Sequence, residues 1–220
     1  PRRYRRSRRR RNRRYRRRRR KRAPQNMRIS VRRMPMLFPD NLRVTMKYSE
    51  RIVFTLNQGV YTSYIWRLNS INDPDYAFGG TRPLGWDQWS AFYNDYICYA
   101  SSISMSFMDG GTVPFEACIG PDSDPTGPTT MQQAIEQPYY KYKVCNGAFA
   151  PVSRLHHKMA VKVLEGKRLG SDDTFQTGMA SNPPNTKYWH LGLVQSLSGA
   201  SVTVYCRFNI YYKVRLLKRK

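Results

Sequence analysis

No aspartate or glutamate occurs in residues 1–39, and none occurs in residues 213–220. The intervening span 40–212 holds all 14 acids and only 14 of the 39 bases, so the net charge of +25 belongs to the two ends. A neutral body with polycationic ends is suited to holding a polyanion, and nucleic acid is the expected partner. Other absences narrow the class further. No apolar run approaches the ~20 residues that span a bilayer, so no membrane insertion is expected. The charged start has no apolar stretch behind it, which argues against a secretory signal. Cys98, Cys118, Cys145 and Cys206 are scattered without a CxxC pair, so reduced thiols of a cytosolic or nuclear protein are the expectation. No 20–50-residue repeat is visible, which disfavours propellers and solenoids.

Catalytic signatures are also missing. The chain has no GxxxxGK[ST] phosphate loop, no GxSxG, no HExxH and no EF-hand pattern, so neither an enzyme nor a cofactor is expected. His156 and His157 are adjacent and in a strand point to opposite faces, which prevents them from acting as a pair. His190 stands alone beside Trp189. Neither these histidines nor the cysteines have the spacing of a metal site. Asp122, Ser123 and Asp124 lie in a Pro-rich loop without the further ligands that calcium needs.

What is present begins with the arm. Arg2, Arg3, Arg5, Arg6, Arg8, Arg9, Arg10, Arg11, Arg13, Arg14, Arg16, Arg17, Arg18, Arg19, Arg20, Lys21 and Arg22 are interrupted only by Tyr4, Ser7, Asn12 and Tyr15. Like charges at this density repel and no apolar face exists to bury, so a disordered segment is predicted. Guanidinium groups stay charged and bridge phosphate oxygens through two parallel N–H bonds. Arg28, Arg32 and Arg33 extend the charge, while Pro24, Pro35 and Pro39 break any helix and mark a linker. Tyr4 and Tyr15 are suited to stack on unpaired bases, or are simple interruptions of the run. A nuclear-localisation signal or a patch for an anionic membrane would explain roughly five to eight basic residues. The 17 by Arg22 exceed that, and neutralisation of nucleic acid, compatible with nuclear import, is the favoured reading. Binding of this kind is sequence-indifferent and steeply salt-dependent.

The body reads as strands. From Ser201 to Leu216 apolar and polar residues alternate without a slip, the pattern of a long strand with one dry face. A second alternating run spans 42–56. Others are predicted at 60–68, 97–107 (with Ile97, Tyr99, Ile103, Met105 and Phe107 on one face), 113–119, 139–145, 155–163 and 188–195. Eight strands with long connections at 69–95, 120–138 and 165–186 predict an all-β, eight-stranded single jelly roll, a sandwich of two sheets. The domain division expected is 1–39 as disordered arm and linker and 40–220 as the jelly roll. A short helix is predicted around 84–95, where Trp86, Trp89, Phe92 and Tyr93 recur at helical spacing as a packing stripe. A second short turn is predicted at 130–136. Lys141 with Lys143, and Lys158 with Lys162, are each expected to share a strand face, as further phosphate contacts or as solvated surface.

The stretch Gly79-Gly80-Thr81-Arg82-Pro83-Leu84-Gly85-Trp86-Asp87-Gln88-Trp89, continuing through Phe92-Tyr93-Asn94-Asp95-Tyr96, resembles a segment of the capsid proteins of circovirus-like, replication-initiator-encoding, single-stranded DNA viruses. The arm, the eight-stranded body and the long last strand resemble the same group. The resemblance implies a capsid protein of the virion that assembles as a homo-oligomer of about sixty copies around a circular single-stranded DNA genome. It further implies an inward arm that serves nuclear import in the host nucleus, and loops that meet a host-cell receptor. Sixty arms would carry on the order of 1,200 positive charges, matching a genome on the order of one to two thousand nucleotides. The alternative is a cellular, non-sequence-specific nucleic-acid-binding protein of ribosomal or chromatin type with a basic tail. Such proteins usually spread basic residues over the folded domain, against which the 14:14 balance counts.

Overall fold

The computed structural model describes residues 39–79, 81–109, 113–145, 152–166, 173–195 and 201–220. The arm residues Arg2 to Arg22, with Tyr4 and Tyr15, and Arg28, Arg32 and Arg33 lie outside the described residues. The strands are β1 (Asn41–Leu56), β2 (Thr62–Arg67), β3 (Tyr93–Asp109), β4 (Phe115–Asp122), β5 (Lys141–Cys145), β6 (Val152–Ala160), β7 (Gln176–Gly178), β8 (Tyr188–Val194) and β9 (Val202–Arg219). Between them lie α1 (Trp86–Phe92), α2 (Met131–Glu136) and α3 (Val161–Glu165).

Two antiparallel sheets result, in the orders β1-β9-β3-β6 and β2-β8-β4-β5, with the three-residue β7 attached to β3. Setting β7 aside, the strand pairs nest: β1 with β9, β2 with β8, β3 with β6, β4 with β5. That is one long antiparallel hairpin rolled into a sandwich, the double Greek key of a jelly roll. The predicted eight strands are therefore these eight, and β7 is a short addition.

The alternation read in the sequence continues through the structure. In β9 the residues from Val202 to Leu216 alternate buried and exposed, with half-buried Asn209 the one softened position. Strand β1 runs unbroken from Asn41 to Leu56 in continuous register with β9. The dry faces meet in an aromatic core. Trp66 of β2 lies with its ring centroid 4.5 Å from that of Phe208 of β9. Phe107 and Phe115 meet edge-on at 5.9 Å where β3 turns into β4. The indole N–H of Trp189 donates to Ser101 Oγ at 2.9 Å, so a buried polar group is satisfied across the sandwich.

Three expectations are corrected. Strand β3 carries a bulge between Cys98 and Ala100, and the extra residue inverts the alternation. Ile97 thus stands opposite Arg215, away from the face that buries Ile103, Met105 and Phe107. The predicted helix around 84–95 ends at Phe92, and Tyr93 already begins β3 with φ −128° and ψ 144°. The run expected at 155–163 breaks at Ala160, where α3 begins, so Lys158 and Lys162 do not share a strand face.

Candidate nucleic-acid interface

The two sheets differ in what they turn outward. Strand alternation places Arg43, Lys47 and Arg51 of β1 and Arg207, Lys213 and Arg215 of β9 on the outer face of the first sheet, all exposed. Arg154 and Lys158 of β6 join them, with exposed His156 between. Register sets these side chains in rows. Arg51 stands opposite Arg207, which neighbours Ser106, which faces Arg154. Two residues along, Ser49, Asn209, Ser104 and His156 form the next row, followed by Lys47, Tyr211, Ser102 and Lys158. Arg43 stands opposite Arg215 further on. Successive rows are about 7 Å apart and neighbouring strands about 4.8 Å.

The acids are elsewhere. Among the described side chains the one carboxylate on this face is Asp95, at its rim, held by Lys218 Nζ at 2.6 Å and by Gln176 Nε2 at 2.9 Å. Glu50 sits on the inward alternation of β1, where its carboxylate accepts the Tyr48 hydroxyl at 2.5 Å. None of the guanidinium groups of Arg43, Arg51, Arg154, Arg207 and Arg215 has a hydrogen bond or an ion pair among the described residues. The 14:14 balance of the body is thus a sum over segregated charges. The face presents a positive field studded with serine hydroxyls and with Tyr205 and Tyr211, which are 43% and 38% exposed. Chemically it can bind anions.

The second sheet is covered. Gly120 of β4 and Gly192 of β8 leave room for the rings of Tyr140 and Tyr61, which a Cβ at either glycine would meet at 2.1 Å or less. His190 Nε2–H donates to the Asp124 carbonyl across 2.7 Å, pinning the loop after β4 onto the same surface. Burial holds the His190 imidazole below its ordinary pKa. The Asp122 carboxylate accepts from the backbone N–H of Ser123 and Asp124, and Asp124 accepts from that of Thr126. These carboxylates therefore shape turns of their own loop. Among the described residues no cluster of three or more metal-ligating side chains occurs.

Lys141 and Lys143, considered above as phosphate contacts, donate instead to the carbonyls of His156 at 2.9 Å and Arg154 at 3.2 Å, tying β5 to β6 across the edge of the sandwich. The C-terminal bases divide. Lys213 and Arg215 belong to the basic face, Lys218 binds Asp95, and Lys220 Nζ donates to the Ser90 carbonyl at 2.7 Å. The aromatic stripe also divides. Trp86 and Tyr93 are buried, Trp89 is half-buried 6.3 Å from Tyr93, and Phe92 is 41% exposed. Gly85 at φ 88° begins α1 in the left-handed region that glycine tolerates, and the Arg82 guanidinium lies 3.8 Å from the Trp86 ring. All four cysteines are buried. The thiols of Cys98 and Cys206 are pushed up to about 12 by burial, which removes thiolate chemistry. Among the described residues, no helix is long and apolar enough to cross a membrane.

The basic face escaped the sequence reading because its residues come from four segments. The period-two runs supply the signal for each strand but not for which strands are neighbours.

No protein-family model matches the chain, and no curated protein matches it in sequence. Among solved structures it is similar to the empty head of turnip yellow mosaic virus, at 9% identity over 85% of this chain and 87% of that one, with a TM-score of 0.47. It is similar to mud crab tombus-like virus at 14% identity over 84% of each chain, TM-score 0.47. The decameric BFDV capsid protein is similar at 13% identity over 80% of this chain and 99% of that one, TM-score 0.45. The fold assignment itself rests on the nested strand order.

Proposed function

We propose that the chain is a viral capsid protein, structural rather than enzymatic, which self-assembles into a small icosahedral shell and packages single-stranded DNA. Neutralisation is the work of the arm, Arg2 to Arg22 extended by Arg28, Arg32 and Arg33, and the arm doubles as a nuclear-import signal. The observation that carries the reading is the joining of a polycationic run to a jelly roll whose first sheet turns eight basic side chains to one face. The circovirus-like, single-stranded DNA assignment is supported by the resemblance of residues 79–96. Arm–arm repulsion falls as phosphate neutralises it, so packaging and assembly are coupled. Electron microscopy of the purified full chain with single-stranded DNA at low salt is expected to show closed, uniform shells. A chain that stays monomeric under those conditions overturns the reading.

A second reading, a cellular nucleic-acid-binding protein with a basic tail, is favoured by one observation: basic residues do occur on the folded body, gathered on one face. Discrete protein–DNA complexes without shells would select it.

A further inference from the structure

We propose that the outer face of the β1-β9-β3-β6 sheet is itself a binding site for single-stranded nucleic acid, separate from the arm. The proposal rests on the reading that the cargo is nucleic acid, but not on shell formation.

The first support is a cost that the fold alone does not explain. Arg51 is directly opposite Arg207, and Arg43 directly opposite Arg215. Like charges in directly opposed positions destabilise a sheet. Arg154 completes a row of three arginines across the four strands. The usual remedy is an interleaved carboxylate, and the described side chains of this face offer only Asp95, at the rim and already bound to Lys218. An external anion removes the repulsion at every one of these positions. Guanidinium groups suit phosphate, which they grip through paired N–H donors.

The second support selects the form of the polyanion. Strand β9 is interior to the sheet, and it turns Tyr205 and Tyr211 outward. Tyr211 has Ser102 beside it on β3, and Ser104 and Ser106 follow along the strand. The low serine side leaves the Tyr211 ring accessible to a flat group from above, and Tyr205 is 43% exposed. Lys47 Nζ lies 5.8 Å from the Tyr211 ring centroid, so a cation already sits next to that ring. Tyr205 belongs to a row of exposed apolar side chains, Val53, Tyr205, Met108 and Val152, paired directly across all four strands. This row borders the row of three arginines. Aromatic rings standing beside cationic side chains fit a chain whose bases are unpaired and whose phosphates lie to one side of them. A duplex hides its bases in the stack and gains only the charge contacts. A sulfated polysaccharide or an anionic bilayer likewise has no use for the rings.

The test is made on the full chain. A photoreactive oligothymidine is cross-linked to the protein, and the adducts are located by peptide mass spectrometry. Adducts are expected at Tyr211 and Tyr205 as well as in the arm. In parallel, affinities for oligothymidine and for a duplex of equal charge are measured over a range of salt. Tyr205→Ser/Tyr211→Ser is expected to weaken oligothymidine binding about tenfold while leaving duplex binding unchanged, and Tyr205→Phe/Tyr211→Phe to retain the parent's preference. Arg51→Gln/Arg207→Gln is expected to lower the salt slope by about 1.4, and to melt no lower than the parent because a repulsive pair is gone. Adducts confined to the arm, or a tyrosine-to-serine variant with an unchanged preference, would overturn the proposal. So would binding of heparin or anionic vesicles that the tyrosine variant weakens as much as oligothymidine. Micrographs of the same samples score shell formation independently: shells without face adducts sink this proposal alone, and adducts without shells sink only the capsid reading.

Discussion

At the scale of single residues, two glycines and two histidines hold the covering layer on the second sheet. A methyl group at Gly120 would stand 2.1–2.3 Å from ring atoms of Tyr140. That ring is wedged between β4 and the start of β5 and has little freedom to retreat. Gly120→Ala is therefore expected to lose about 1–3 kcal/mol, as overpacked sites do, and Gly120→Ala/Tyr140→Ala should recover part of it in a denaturant titration. His157 reaches the Tyr139 carbonyl through Nε2, and His190 reaches Asp124 in the same connection between β4 and β5. Burial depresses both pKa values. Lys141 and His156 depress His157 further, while Asp122 and Asp124 act in the opposite direction on His190. A histidine with a folded pKa below its unfolded value of about 6.5 takes up its proton more readily when unfolded. Its contribution to stability is complete above that pH and is lost as pH falls through 6.5 towards the folded value. Melting temperature should accordingly fall between pH 7.5 and pH 5, and His157→Gln/His190→Asn should flatten the profile. A flat parent profile would contradict this account.

At the scale of elements, β9 is the spine. It pairs with β1 along sixteen residues and with β3 on its other side, and its inward residues span the core from Val202 to Leu216. The last residue closes onto α1, with the Lys220 N–H donating to the Phe92 carbonyl and its ammonium to Ser90. A cation at a helix C-terminus is electrostatically favourable. Elsewhere, α3 is anchored by an ion pair between Glu165 and Lys187, the latter buried. Lys187 Nζ also donates to Ser123 Oγ at 3.0 Å, so one ammonium joins α3, the segment before β8 and the loop after β4. Glu165→Leu leaves that ammonium buried without its carboxylate and is expected to cost about 3 kcal/mol. Replacing both partners, as Glu165→Leu/Lys187→Met, should restore most of the loss. Equal instability of the single and double variants in chemical denaturation would show that packing, not charge, holds α3.

At the scale of the whole molecule, charge is sorted by place. Eight basic residues of β1, β6 and β9 collect on one open sheet face, while Asp73, Asp75, Asp87, Asp124, Glu136 and Glu165 lie in loops and helices. On the proposed function, a polyanion is drawn to that side of the body. Particles or complexes formed with DNA should loosen as ionic strength rises, because screening shortens the reach of every exposed charge. Removing residues 1–39 is expected to leave a folded body that loses most DNA affinity and most of the salt dependence. The remainder should favour single strands over duplex. Gel-shift titrations of the two chains at several salt concentrations measure both quantities, and an arm-free chain with full affinity at moderate salt would refute the division of labour.

The sequence by itself determined the elements whose signal is local. The slip-free alternation of 201–216, the in-phase run 42–56, the helical turn at 130–136 and the confinement of net charge to the ends all follow from neighbours along the chain. Side-chain period and propensity act over a few residues, and so they survive in one dimension. Only the tertiary structure decided the rest. The bulge at Cys98/Ala100 moved Ile97 off the core face, α3 ended β6 before Lys162, and Phe92 was turned to solvent. The same long-range pairing set Arg51 beside Arg207, residues far apart in the chain, and collected eight bases on one surface. Adjacency between strands is a property of the folded sheet, so a balanced count of charges along the body concealed a face on which bases predominate.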